Sequence, residues 1–175
     1  METNIPTIDQ AFCHLRGQLA WSVRKGHGSF LTCEFGEPHI TIREPVATSA
    51  DASERVRKTL ARRRVFITGD WHLWIQNAHW EIETRYEKIN SDTFDTDSLE
   101  ETLKELDGQR LLSVSACSGE GSCVLAFDIG ASLALRPNVD VDDEQWSIYA
   151  RDGSWIRCGM NESLSRAQAR GPAAR

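Results

Sequence analysis

The chain has 175 residues, 40% of them apolar and 26% charged, with a formal net charge of -6, which is ordinary composition for a soluble globular protein. No apolar run approaches the ~20 residues of a membrane-spanning helix, and residues 1–10 lack a basic segment followed by an apolar one. The five cysteines are odd in number and lack C-x-x-C spacing, which excludes a secreted disulfide framework and a zinc ribbon and predicts a cytoplasmic protein.

The chain opens on a helix signal. Thr7 and Gln10 have capping-box spacing, Ile8, Phe12 and Leu15 fall at i, i+4 and i+7, and Gly17 supplies the stop. After a turn at residues 25–28 the apolar spacing changes to two, predicting strands through Ile40/Ile42 and Trp71/Leu73/Ile75. Between them residues 48–66 read as a basic helical insertion, which Asp51 and Glu54 would cap. The polar stretch 83–96 reads as a linker. A second helix signal follows, with Ser98 and Glu101 in capping-box spacing, a stripe of Leu99, Leu103 and Leu106, and Gly108 as its stop. Further strands run through Leu133/Leu135 and Trp146/Ile148, with turns at residues 118–121 and 151–153 and a tail over 161–175.

Laid on itself, the chain repeats. Residues 8–23 and 99–114 align without a gap at five identities in sixteen positions, where about one is expected by chance. Residues 30–36 answer to 124–130, and Trp71 and Trp80 answer to Trp146 and Trp155 with the same separation of nine. The expected fold is therefore α+β and mainly β, a tandem duplication of a helix plus about five antiparallel strands. The repeats span residues 7–92 and 98–160 and pack as a pseudo-twofold sandwich or barrel, since a single short unit has a marginal core.

Candidate functional residues lie where the halves differ. The first half carries an insertion of about 17 residues, and residues 54–64 within it hold six basic residues, Arg62 and Arg63 among them, against one acid. That segment has a charge of +5 and leaves -11 for the rest of the chain. The corresponding loop of the second half is acidic, with Asp140, Asp142, Asp143 and Glu144 in five residues, but it lacks the ligand spacing and turn glycine of a calcium loop. Segregated charge of this kind speeds and orients association with a complementary partner. Alternation along the strands sets Trp71 and Trp146 toward the core and places Trp74, Tyr149 and His72 on an opposite, largely polar face, where aromatic rings suit an interface.

Catalytic signatures are missing. His72 and His79 have no metal-binding partners at diagnostic spacing, the GHGS and GEGS stretches at 26–29 and 119–122 do not continue to G-K-[ST], and there is no G-x-S-x-G. The expectation is a non-enzymatic protein without cofactor or metal. An acidic chain is also a poor general ligand for nucleic acid.

With its size, the repeated L-x-G-Q and W-x8-W patterns, its acidity and the lack of an active-site constellation, the chain resembles small cytoplasmic bacterial proteins that include the immunity proteins of toxin–immunity systems. That resemblance implies a protein that binds and neutralises a toxin, in part by presenting acidic groups to a basic active site. The partner-binding residues expected are Asp140, Asp142, Asp143, Glu144, Trp74, His72, Tyr149, Arg62 and Arg63. The other reading is a small-molecule or nucleotide-binding module, or a minor enzyme, with a cleft between the repeats lined by Trp74 and His72.

Overall fold

Thr7 opens the first helix as expected: its hydroxyl accepts from the Gln10 amide, and the Gln10 side chain accepts from the Thr7 amide. The computed structural model describes residues 6–49, 51–119, 121–159 and 163–167. In chain order the elements are α1 (Ile8–Phe12), continued by a single tight turn to Leu15, β1 (Ala20–Lys25), β2 (Leu31–Phe35), β3 (His39–Arg43), α2 (Glu54–Leu60), β4 (Arg64–Thr68), β5 (Trp71–Ile75), β6 (His79–Glu83) and β7 (Lys88–Asn90). They continue with α3 (Thr96–Leu106), β8 (Leu111–Ala116), β9 (Cys123–Phe127), β10 (Ser132–Arg136), β11 (Trp146–Ala150), β12 (Trp155–Cys158) and β13 (Leu164–Ala167). Strands take 41% of the structure and helices 17%, so the protein is mainly β, and every strand pairing is antiparallel.

Two sheets form the body. A six-stranded sheet runs β1-β2-β5-β11-β12-β13 and a five-stranded sheet runs β7-β6-β10-β9-β8. Early and late parts of the chain are interleaved, because β5 pairs with β11 in the first sheet and β6 with β10 in the second. Where the sheets meet, Gly17 N donates to Leu111 O and Gly108 N to Ala20 O, both at 2.7 Å, while Leu111 N and Ala20 N donate to Gln18 O and Gln109 O at 3.0 and 2.8 Å. Gly17 and Gly108 hold φ of +78° and +87°, the left-handed conformation a helix stop requires.

One continuous core joins both sheets with α1 and α3. Phe12, Leu15, Phe35, Leu73, Leu106, Leu111 and Leu125 are all essentially inaccessible, each contributing about 1.5–3 kcal/mol of burial. Two buried tryptophans satisfy their indole N–H groups across the core: Trp80 of β6 donates to Ser29 O at 2.7 Å, and Trp146 of β11 to Gly121 O at 3.1 Å.

Several local expectations change. The second helix starts earlier than its leucine stripe indicates, because the Asp95 carboxylate accepts from the Ser98 amide and caps it, leaving Ser98 inside the first turn. Ser53, rather than Asp51, caps α2. The stretch read as a linker contains β7, whose lone apolar residue Ile89 is buried beside its cross-strand partner Ile82. The basic insertion ends in a strand, β4, and part of the expected tail is the edge strand β13, with Leu164 buried; residues 168–175 lie outside the described residues. The matched Trp pairs differ in setting. Trp71 and Trp146 lie on adjacent strands of one sheet, the first half-buried against His14 and the second inaccessible, whereas buried Trp80 and half-buried Trp155 lie in different sheets.

β3 and β4 pair only with each other, forming a ribbon outside both sheets. No described residue from Glu37 to Thr68 is buried. Asp70 fixes the ribbon at its base, accepting from the Glu37 amide at 2.9 Å and pairing with His39 Nε2 at 2.7 Å. Gly69 allows the close approach, since a Cβ there would collide with the Phe35 carbonyl.

Candidate functional site

The outer face of the six-stranded sheet gathers the polar and aromatic residues that strand alternation turns away from the core. In β5, Leu73 and Ile75 point inward and His72 and Trp74 outward; in β11, Trp146 and Ile148 point inward and Ser147 and Tyr149 outward. In β12, Ile156 and Cys158 are buried, leaving Trp155 and Arg157 on the outer face, and in β2 the same rule leaves Thr32 and Glu34.

Register then aligns these residues into two rows. Trp21, Glu34, His72, Tyr149, Trp155 and Ala167 stand side by side across the sheet, next to Arg24, Thr32, Trp74, Ser147, Arg157 and Ser165. Helix α1 packs against β8, and α3 against β1 and β7. The rings on this face are half-buried: Trp21, Trp74, Tyr149 and Trp155 all keep accessible surface.

Two carboxylates are fixed within the rows. Glu34 Oε1 pairs with His72 Nδ1 at 2.8 Å, while its Oε2 accepts from the Gly69 amide at 2.9 Å. Burial by itself pushes the Glu34 carboxyl up, but the bonds from His72 and Gly69 outweigh it and hold the group below its ordinary value. Glu144 reaches in from the loop before β11, pairing with Arg157 Nε at 3.2 Å, accepting from the Tyr149 hydroxyl at 3.3 Å and bonding the Ser147 hydroxyl. Arg157 also lies over the Trp155 ring, 4.0 Å from its centroid, and beside Tyr149 at 5.7 Å. His72 and Trp74 flank Tyr149 with centroids 6.4 and 6.5 Å away, so the aromatic patch is continuous.

Of the residues expected to bind a partner, Trp74, His72, Tyr149 and Glu144 meet here. Glu144 is therefore unlike its neighbours in the acidic loop, since Asp140, Asp142 and Asp143 are exposed while its carboxylate folds onto the sheet. Buried Gln145 holds this loop in shape: its side chain donates to Val141 O and Asp143 O at 3.1 and 3.0 Å and accepts from Asn138 N at 2.7 Å. Arg62 and Arg63 stand apart, in the turn from α2 into β4 at the far end of the ribbon, where Arg63 pairs with Glu44 at 2.9 Å. Trp21, Glu34, Trp155 and Arg157 were not foreseen as site residues. The alternation of Trp155 and Arg157 against Ile156 and Cys158 carries the signal for two of them.

The Ser147 hydroxyl bonds the Glu144 carboxylate, and the imidazole on this face, His72, pairs with Glu34. Among the described residues no three His, Cys, Asp or Glu side chains converge as metal ligands. Among the described residues a recess of about 630 Å³ between α3 and β1 borders the face at Arg24, others of about 510 Å³ between α1 and the β8–β9 turn and about 410 Å³ beside His79 and Asp140 lie away from it, and none of these is lined by Trp74 or His72. No helix among the described residues is long and apolar enough to cross a membrane. Comparison of the chain with protein-family models, with curated proteins and with solved structures finds no match.

Proposed function

We propose that the protein is a non-catalytic binding module that engages another protein through the outer face of its six-stranded sheet, in the manner of an immunity protein that neutralises a cognate bacterial toxin. The observation that carries the reading is the half-exposed pair of rows with Trp21, Tyr149 and Trp155 in one and Trp74 and Arg157 in the next, Arg157 lying over the Trp155 ring. Trp, Tyr and Arg are the residue types that dominate binding energy at protein interfaces, and here the strands hold them rigidly, so little side-chain freedom is lost on binding. The exposed Asp140, Asp142 and Asp143 border Glu144 in sequence and supply negative charge to steer a basic partner. Tagged protein recovered from its native cell should carry a stoichiometric second protein, identified by mass. Recovery should be lost with Trp74→Ala plus Trp155→Ala; equal recovery by that variant refutes the proposed face.

The same reading keeps the tandem duplication. Its support is the reciprocal bonding of residues 17–20 with 108–111, and the like positions of Trp80 and Trp146, which pair with Leu135 and Ile75. Those residues in turn face Cys123 and Leu31 on the next strands. This scheme replaces the sequence match of Trp71 with Trp146 and of Trp80 with Trp155: β6 is equivalent to β11 and β10 to β5, so each repeat lends strands to the other's sheet.

A further inference from the structure

We infer that the β3–β4 ribbon is a self-association arm, by which two copies pack their ribbons face to face about a twofold axis. Cross-strand register places Ile40 opposite Ile67 and Ile42 opposite Val65. Alternation puts all four side chains on one face, where they are 74%, 63%, 55% and 63% exposed. An isolated two-stranded ribbon is marginal in water, and this one buries none of its described residues in the body, so the apolar face has no cover among the described residues.

The occupant is a second copy because the ribbon complements itself. Two such faces stacked ~10 Å apart interdigitate β-branched side chains as sheets in a sandwich do. Charge fixes the direction. The far end of the ribbon lies in the +5 segment at residues 54–64, whereas the remainder of the chain carries -11. Antiparallel packing sets each basic end, with Arg62 and Arg63, beside the base of the other ribbon, where Glu37 and Asp70 stand. Parallel packing would oppose the two basic ends. The four side chains leave roughly 400 Å² of apolar surface per copy, the size of a functional patch. Two copies would cover roughly 800 Å², and contacts of the charged ends are needed to approach the ~1,200 Å² of a stable interface. The expected product is a concentration-dependent dimer of modest affinity.

Sedimentation velocity over a dilution series reaching on the order of 100 µM, suited to a micromolar interface, tests the inference. The wild-type mass should rise from 19.7 kDa toward twice that value. Ile40→Thr with Ile67→Thr should weaken dimerisation at least ~10-fold with an unchanged circular dichroism spectrum, because these side chains lie outside the core. Arg62→Glu with Arg63→Glu should also weaken it and flatten its salt dependence. A wild type monomeric throughout, a dimer indifferent to the arginine reversals, or assembly continuing beyond two copies by edge pairing overturns the inference. Should the threonine variant not fold, the arginine pair alone decides.

Discussion

Replacing Glu144 by Ser, beside Asp142→Ser and Asp143→Ser, separates three neighbouring acids that the sequence presents as equivalents. The Glu144 and Arg157 side chains are 20% and 34% exposed, so their pair is neither a surface ion pair nor a buried one. Exposed pairs contribute about 0–1 kcal/mol, and breaking a fully buried one costs about 3–5 kcal/mol. Removing Glu144 also leaves the hydroxyls of Ser147, itself inaccessible, and Tyr149 without this acceptor. Discounted for solvent screening, the expected loss is about 1–2 kcal/mol. The aspartates face water and should change stability by no more than about 0.5 kcal/mol. With a urea m-value of about 2 kcal/mol/M, Glu144→Ser should lower the unfolding midpoint by about 0.5–1 M. Equilibrium urea unfolding followed by tryptophan fluorescence reads the difference directly. A Glu144→Ser midpoint indistinguishable from that of Asp142→Ser would show that the carboxylate is not folded onto the sheet, and the description of the site would fall with it.

Further outcomes follow from the fold and its titrating groups. Residues 1–94 expressed alone should not unfold cooperatively, because β6 and β5 lose their partners β10 and β11; a sigmoidal urea transition for this fragment would contradict the interleaved sheets. The Glu34 carboxyl sits below its ordinary 4.5, so in acid the unfolded chain binds the proton first; its stabilising contribution is present above about that pH and is lost as the pH falls through the folded-state value. Glu34→Gln should therefore flatten the loss of stability below pH ~4.5, and an acid limb as steep as wild type would refute the pairing with His72. Native protein should react quickly with a thiol reagent at exposed Cys13 and Cys117, while buried Cys33, Cys123 and Cys158 react only on unfolding. Burial pushes the thiols of Cys33 and Cys123 up, which removes the reactive thiolate; five equally fast thiols in the native state would contradict this.

What can be read from sequence is local. The Thr7–Gln10 box, the leucine stripe of α3 and the alternation in β5 and β11 are fixed by near neighbours, and each element contains the residues the pattern assigns to it, although α3 starts earlier. Alternation says which residues share a face, but not whether anything covers it. Ile40 and Ile42 have the spacing of core residues, as Leu133 and Leu135 do, yet the first pair faces water and the second is buried. Trp80 and Trp155 stand at matched spacing in the sequence, nine residues after Trp71 and Trp146, but long-range strand pairing sends them to different sheets and different exposures. The candidate face is legible in part for the same reason. Trp74, His72 and Tyr149 follow from alternation within their strands, whereas bringing Glu34, Glu144 and Arg157 to them needs the order of strands β2, β5, β11 and β12.

The central claim, that the outer sheet face binds a protein, is tested most directly by the dissociation rate of the captured partner from wild type and from Trp74→Ala. An interface anchor of about 2 kcal/mol predicts release about 30-fold faster. Asp142→Ser with Asp143→Ser should instead slow association at low salt and leave dissociation nearly unchanged. A Trp74→Ala variant that folds normally and releases its partner at the wild-type rate would contradict the claim.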